Sequence, residues 1–411
     1  MFLLATLGER IRSLRKQRKM TLEALAGEQL TKAMLSYIEN NKANPSMESL
    51  SYIAKRLGVE VSQLLEEVNL QELRDLLIVV EKLFTAGFDE SKDKYVKIID
   101  LIEPYVKKMS QGYEAARLLE IYSRALYYEK RDGWKLLMDK AAEMYEQLNL
   151  TSRLAAIGIF QSNVKFTKHD YEASLAKLLE ERSKIEERDG LIDPLTRLDF
   201  DYWESLLHFA VGNSKEAIRV MNEGIEFSKE KQIFYRIAHL YQLAIFNAMM
   251  NEDENSLKHY EQKILQYGVF AEDKDAIPFI NFMTIHYLTS YKKAYEEALE
   301  LIHAHHDEHG IDDSHTSYSF MEEKGKALYG LGQYEEALAC FEKVNFPDFA
   351  HHPFDLSILY EKDAYAALCH LALGNEAEAY SLIEIAVENI AGMPSSRYKD
   401  FIMETYVRIR Q

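Results

Sequence analysis

Six cations crowd the first helix-forming segment of this chain: within residues 7–20, LGERIRSLRKQRKM, Arg10, Arg12, Arg15, Lys16, Arg18 and Lys19 surround an apolar row of Leu7, Ile11 and Leu14 at helical spacing. A helix coated with guanidinium and ammonium groups is suited to phosphate oxygens. A second group, His303, His305, His306 and His309 with Asp307 and Glu308, has the residue types of a metal site, and His305 and His309, four apart, would share a helix face. The H-E-x-x-H order is absent and Gly310 ends the helix, so a solvated loop is the better reading and neither a metal nor another cofactor is expected. A third candidate is Arg124, set among apolar neighbours in IYSRALYYE, where a guanidinium could hold a ligand carboxylate with both its arms. The chain has no P-loop, no dinucleotide fingerprint and no serine-nucleophile elbow, so no catalytic residue is expected and the protein reads as a non-enzyme.

The elements that must position these groups are helical. Of 411 residues, 47% are hydrophobic and 28% charged, enough for two or three structural units with cores of their own. Seven prolines and 17 glycines are too few for the closely spaced turns of a sandwich or barrel. Cys340 and Cys369 give no disulfide framework, which fits a reducing cytoplasm. The start is apolar for only a few residues before Glu9 and Arg10, unlike an export signal, and the longest uncharged stretches, 237–251 and 276–291, fall short of a membrane span. A net charge of −18 would repel a polyanion, but residues 1–59 hold ten Lys+Arg against five Glu, a charge of +5 that leaves −23 for the other 352 residues. A small basic module precedes a large acidic body.

Within the basic module, Thr21 stands before Leu22, Leu25 and Ala26, and Thr31 before KAMLSYIEN, each placed as a helix N-cap. In the latter segment Leu35 and Ile38 turn inward, leaving Lys32, Ala33, Ser36 and Tyr37 outward. Three helices in so few residues form the helix-turn-helix arrangement. With N-P-S-M-E-S-L-S-Y-I-A-K-R-L-G-V-E-V following L-S-Y-I-E-N-N, residues 1 to about 68 resemble the lambda-repressor-like, XRE-type DNA-binding family through five consecutive helices. The resemblance implies that Lys32, Ala33 and Tyr37, with Ser36 on the same face, meet base edges of double-stranded operator DNA, and that Thr31, Asn40 and Lys42 meet phosphates. It also implies a buried Arg15–Glu39 ion pair. Asn41 stands where the family has glycine, a position asparagine tolerates at positive φ.

The acidic body repeats itself. Gly212, Asn251, Lys293, Gly332 and Gly374 are spaced by 39, 42, 39 and 42 residues, with His169 as an earlier copy. Five residues beyond these anchors stand Ala217, Ser256, Ala298, Ala337 and Ala379, and nine beyond stand Met221, Tyr260, Ile302, Phe341 and Ile383. A small residue opposite a large one lets two antiparallel helices approach closely. EKGKALYGLGQYEEALACFEKV, residues 323–344, resembles the tetratricopeptide repeat, which implies a right-handed all-α solenoid over 151–411, entered through less regular helices at 69–150. On its inner helices the row facing the groove gives Asn163, Tyr202, Tyr241 and Tyr287, with Asn247 and Asn281 one residue off it. An asparagine there can donate and accept at once and so grip a peptide backbone.

A lambda-repressor-like module joined to such a solenoid resembles the RRNPP peptide-pheromone receptors of Gram-positive bacteria, and within them the neutral-protease regulators. The resemblance implies a cytoplasmic transcription regulator, a homodimer or higher oligomer, that binds a short signalling peptide and changes its oligomeric state and DNA affinity. Relatives without the DNA-binding module act on phosphorelay response regulators. The surface for such a partner here would be residues 70–150.

Overall fold

The computed structural model describes residues 7–61, 64, 70–86, 93–109, 111–189, 192–309, 318–347 and 350–411, and every regular element among them is a helix. None of these helices is long and apolar enough to cross a membrane. The chain divides into two compact units, one ending at Ile157 and the other beginning at Gly158. That division lies inside a helix, not at the expected 150/151 boundary. Most of the expected fifth helix of the basic module lies outside the described residues.

The first unit opens with α1 (Leu7–Gln17), α2 (Leu22–Ala26), α3 (Lys32–Glu39) and α4 (Met47–Leu57). The hydroxyls of Thr21, Thr31 and Ser46 accept from the backbone N–H groups of Ala24, Met34 and Ser49 at 3.0–3.2 Å, which fixes the starts of α2, α3 and α4. Ile11, Leu25, Leu35, Ile38, Ile53 and Leu57 close a core from all four helices. Farther on lie α5 (Leu70–Thr85), α6 (Lys94–Ile102), α7 (Tyr113–Tyr128) and α8 (Trp134–Gln147). Glu120, with no exposed surface, holds them together by accepting from Arg117, Arg124 and the Tyr145 hydroxyl at 2.7–2.8 Å, and Arg117 reaches on to Glu81 of α5 at 2.7 Å.

The division falls within α9 (Thr151–Phe166), whose hairpin partner is α10 (Tyr171–Asp189). Further hairpins follow in the second unit: α11 (Pro194–Ala210) with α12 (Ser214–Lys231), α13 (Ile237–Met250) with α14 (Glu254–Ala271), and α15 (Ala276–Tyr287) with α16 (Tyr295–His309). The last two hairpins pair α17 (Tyr318–Gly330) with α18 (Tyr334–Phe341) and α19 (Pro353–Ala372) with α20 (Glu376–Ile390), before α21 (Arg397–Arg410) ends the chain.

The repeated anchor has a backbone cause. His169, Gly212, Lys293, Gly332 and Gly374 all sit between hairpin helices at φ of +55° to +80°. After His169, Gly212, Gly332 and Gly374, the next residue donates its N–H to the carbonyl five residues back, at 2.8–3.1 Å, ending the helix as a left-handed cap. A Cβ at Gly332 or Gly374 would meet nothing within 4 Å, so the demand there is dihedral and not steric. In one repeat the expected anchor is a residue early. Asn251 has φ −95° and donates its amide to the Asn247 carbonyl at 2.8 Å, while Glu252 takes the left-handed turn at +53°. The small position five residues on is therefore held by buried Leu257, not Ser256. After α15 a π turn over Leu288–Lys292 inserts one residue, and Ala294 bonds back to Leu288 at 3.0 Å.

Four of the later helices meet at a buried ion cluster. Lys326 of α17, with no exposed surface, donates to Glu323 at 3.1 Å and to Glu361 of α19 at 2.9 Å. Glu323 also accepts from Thr289 and lies 2.8 Å from His286 Nδ1, whose Nε2 is 2.8 Å from the Tyr398 hydroxyl on α21. Against the cost of burial, Lys326 and His286 hold Glu323 down to about 2. Glu322, whose Oε1 lies 3.5 Å from the Lys326 ammonium but accepts no hydrogen bond, is pushed by burial up to about 8.

Glu322 thus keeps its proton in the fold where an exposed glutamate, at 4.5, has released it, so it makes the fold less stable as pH rises from about 5 to about 8. Glu322→Gln should remove this contribution. In urea titrations at several pH values, the variant's stability relative to the native protein should increase across that window. A difference independent of pH would mean that Glu322 is ionised in the fold.

Candidate nucleic-acid interface and ligand cavity

The free cationic surface of α1 and the turn after it is smaller than the sequence suggests, because three of the six cations are used inside the module. Arg15 forks onto Glu39 of α3 at 2.6 and 2.8 Å and gives its remaining arm to the Met20 carbonyl at 2.9 Å. Burial opposes the charge, but the Glu39 hydrogen bond raises the arginine's pKa further. Arg10 bonds the Leu64 carbonyl at 3.0 Å and Arg18 that of Gly58 at 3.3 Å. Arg12, Lys16 and Lys19 remain exposed.

Leu35, Ile38 and Glu39 bury one side of α3. The other side presents Lys32, Ala33 and Tyr37 to solvent, with Ser36 half-buried beside them and Asn40 and Lys42 exposed at its end. Tyr37 is 55% exposed, an unusual position for an aromatic ring that packing does not require. Lys32 pairs with Glu23 of α2, but both side chains are about 60% exposed, and a surface pair of this kind contributes little to the fold. Thr31 is occupied as the N-cap of α3. Asn41 adopts φ +56° and its side chain accepts from Gly8 N at 3.1 Å, holding the end of α3 against the start of α1. A Cβ on Gly8 would lie 2.1 Å from the Ile38 carbonyl, so only glycine allows this approach. Gly27, at φ +56°, supplies the turn between α2 and α3.

The second unit contains a cavity of about 760 Å³. One wall comes from first helices of the hairpins, with Tyr202 and Phe209 on α11, His239, Phe246 and Asn247 on α13 and Phe279 on α15. The other wall is made by segments far away in sequence, His352–Asp355 and Pro394–Ser396. Specific bonds bring them there. Tyr171 donates to the His351 carbonyl at 2.8 Å across 180 residues, and His352 Nε2 lies 3.2 Å from the Leu206 carbonyl across 146. Phe354 packs on Phe246 at 4.7 Å and on Tyr398 at 5.6 Å. His352 also caps α19, its Nδ1 accepting from Phe354 N at 3.2 Å, so its proton sits on Nε2. Burial pushes the His352 imidazole down to about 4 and lowers that of His239. The lining includes no lysine or arginine and one carboxylate, Asp355.

Tyr202 and Asn247 therefore line the cavity, and the other expected groove residues lie elsewhere. Tyr241 is buried against Tyr260 at 5.8 Å, Tyr287 stacks on Tyr291 at 5.2 Å, and Asn163 is half-buried on α9. Arg124 belongs to the first unit, held by Glu120 and the Ala156 carbonyl. Asn281 lies 3.3 Å from His305 Nδ1, and His305 stacks flat on Phe320 at 4.6 Å. His305 and His306 are thus packed between helices, and no group of possible metal ligands occurs among the described residues. The His309 side chain and Gly310 lie outside them. The residues that sequence reasoning missed are His352, Phe354 and Asp355 at the start of α19 and Pro394 in the connection before α21, none of them on the row expected to face the groove. The only local signal is Pro353 at a helix start after a capping histidine.

The helix-turn-helix domain family matches residues 8–70, and the N-terminal module is a helix-turn-helix domain. This segment is 39% identical over 66 residues to the immunity repressor protein of Bacillus phage phi105, covering 16% of this chain and 46% of the repressor. It is 41% identical over 63 residues to the HTH-type transcriptional regulator DdrOP3 of Deinococcus deserti, covering 15% and 49%. The chain spans about half the length of these curated relatives. Among solved structures, Bacillus thuringiensis PlcR in complex with the peptide PapR7 and DNA is similar at 17% identity and a TM-score of 0.39, over 67% of this chain and 99% of PlcR. Streptococcus vestibularis ComR in complex with its signalling peptide XIP is similar at 16% and 0.42, over 68% and 97%.

The Arg15–Glu39 fork is a polar tie between α1 and α3 that is nearly out of water. Arg15→Ala leaves Glu39 buried and unpaired, which should cost about 3 kcal/mol of module stability. Denaturant unfolding followed on the full chain checks this. A loss below about 1 kcal/mol would place the pair with ordinary surface bridges.

Proposed function

We propose that this chain is a cytoplasmic, quorum-sensing transcription regulator. Its helix-turn-helix module binds operator DNA as a homodimer or higher oligomer, and a short signalling peptide bound in the cavity of the second unit alters oligomeric state and DNA affinity. The observation that carries this reading is the pairing, in one chain, of an uncommitted α3 face with a cavity lined by amides and aromatic rings. Lys32, Ala33 and Tyr37 are exposed and, with half-buried Ser36 beside them, have no role in the module's core, which supports their contact with base edges. Thr31, Asn40 and Lys42 are placed for phosphates on either side. Asn247 supports the peptide part, because an amide on the cavity wall can satisfy both the N–H and the C=O of an extended backbone. A single module buries little surface, which favours a dimer on a repeated half-site.

Selection of operator sequences from a random duplex pool provides the test. Lys32→Ala combined with Tyr37→Ala should abolish sequence preference, at about 1–3 kcal/mol per lost base contact, while circular dichroism stays helical. Operator affinity unchanged in the double variant would remove α3 as the reading helix. A peptide that copurifies with the protein, identified by mass spectrometry, should bind Asn247→Ala about 1–3 kcal/mol more weakly by calorimetry. Equal affinity would place the peptide outside the cavity.

A further inference from the structure

The cavity carries a carboxylate for which the described residues provide no partner. Asp355 is exposed by surface area although protein encloses it, because the space before its carboxylate is the cavity itself. Among the described residues no hydrogen bond or ion pair reaches that carboxylate. The two histidines on the wall, His239 and His352, are both shifted toward the neutral form by burial. Arg236, which lies over the Tyr202 ring at 5.2 Å, is committed to Asp199 at 2.6 Å.

A helix-start role does not account for Asp355. It is the third residue of α19, where a carboxylate favours the helix dipole, but His352 already caps that turn. Enclosure by the surrounding protein pushes the Asp355 carboxyl up to about 6. A neutral ligand entering the cavity would desolvate it further, whereas a cation would supply the missing charge. The surrounding rings of Tyr202, Phe246 and Phe354 attract a cation through their faces as well.

We propose that the cavity recognises its peptide through one cationic group, an ammonium or guanidinium, bound by the Asp355 carboxylate within the aromatic wall. This inference rests on the cavity being the peptide site. The cation is either a lysine or arginine side chain or the free amino terminus, and the chemistry of the site is the same for both.

Affinity selection on the full-length protein tests it, with a randomised heptapeptide pool as the probe, offered once with free amino termini and once acetylated. The native protein should retain acetylated peptides enriched in Lys or Arg at one position if a side chain is bound, or lose retention on acetylation if the terminus is bound. Individual peptides recovered this way should bind Asp355→Asn at least about tenfold more weakly and Asp355→Glu nearly as well as the native protein. Thermal unfolding should show Asp355→Asn as stable as the native chain or more so, which separates a binding role from a structural one. Retained peptides without basic enrichment and without dependence on acetylation, or equal binding by Asp355→Asn, would overturn the inference while leaving peptide binding intact. A pool from which the native protein retains nothing would overturn both.

Discussion

A lysine with no exposed surface must be neutralised where it stands, and the second unit is arranged around that demand at Lys326. Its partners come from different helices: Glu323 from its own, Glu361 from α19 and, through Glu323, His286 from α15 and Tyr398 from α21. Apolar packing alone would tolerate a helix rotated or shifted by part of a turn. A buried ammonium with two carboxylates does not, since a shift leaves a charge unpaired at a cost of several kcal/mol. The consequence extends to the cavity. Tyr398 stands two residues after Ser396 on its wall, and Phe354 is pressed between Tyr398 and Phe246. The ion cluster therefore sets the position of both long-range segments that close the cavity.

The helix-turn-helix module uses the same physics at lower cost. Arg15 and Glu39 are not wholly buried, and a fork of two short bonds with a third to the Met20 carbonyl satisfies most of the guanidinium. By taking Arg15 inward, the module gives up a surface cation and gains a fixed angle between α1 and α3. Gly8 and Asn41 hold the start of α1 against the same end of α3. The exposed face of α3 is thus presented by a frame that needs none of its side chains, which leaves Lys32, Ala33 and Tyr37 open to contacts outside the chain.

What was legible in the sequence follows the range of the interactions involved. Helix caps at Thr21 and Thr31 act over three residues, and both appear in the structure as read. The repeat anchors act over one turn, and five of the six residues take the left-handed conformation that makes the pattern visible. Asn251 misled because asparagine is a frequent left-handed residue but here spends its side chain on the carbonyl of Asn247, handing the turn to Glu252. The cavity was half legible. Tyr202 and Asn247 lie on the inner helices of repeats, where periodicity can find them, whereas Asp355 in the first turn of α19 and Pro394 in the connection before α21 reach the same space from about 150 residues away. No local pattern encodes that closure, since it depends on the cumulative turn of several hairpins and on contacts such as Tyr171 with His351.

The same closure gives any occupant of the cavity leverage over the second unit. Its walls are early hairpin helices on one side and late connections on the other, so a ligand touching both is sensitive to the pitch of every hairpin between them. Stacked hairpins change pitch by small shifts at each interface, and these add along the stack. A ligand with different affinities for two pitches moves the population between them by that difference and by no more. For a coupling of about 1–3 kcal/mol, one ion pair and one hydrogen-bonded amide formed in only one of the two arrangements are sufficient. Asp355 in the first turn of α19 and Asn247 on α13 both line the cavity, so a ligand reaching the two would supply such a pair of contacts.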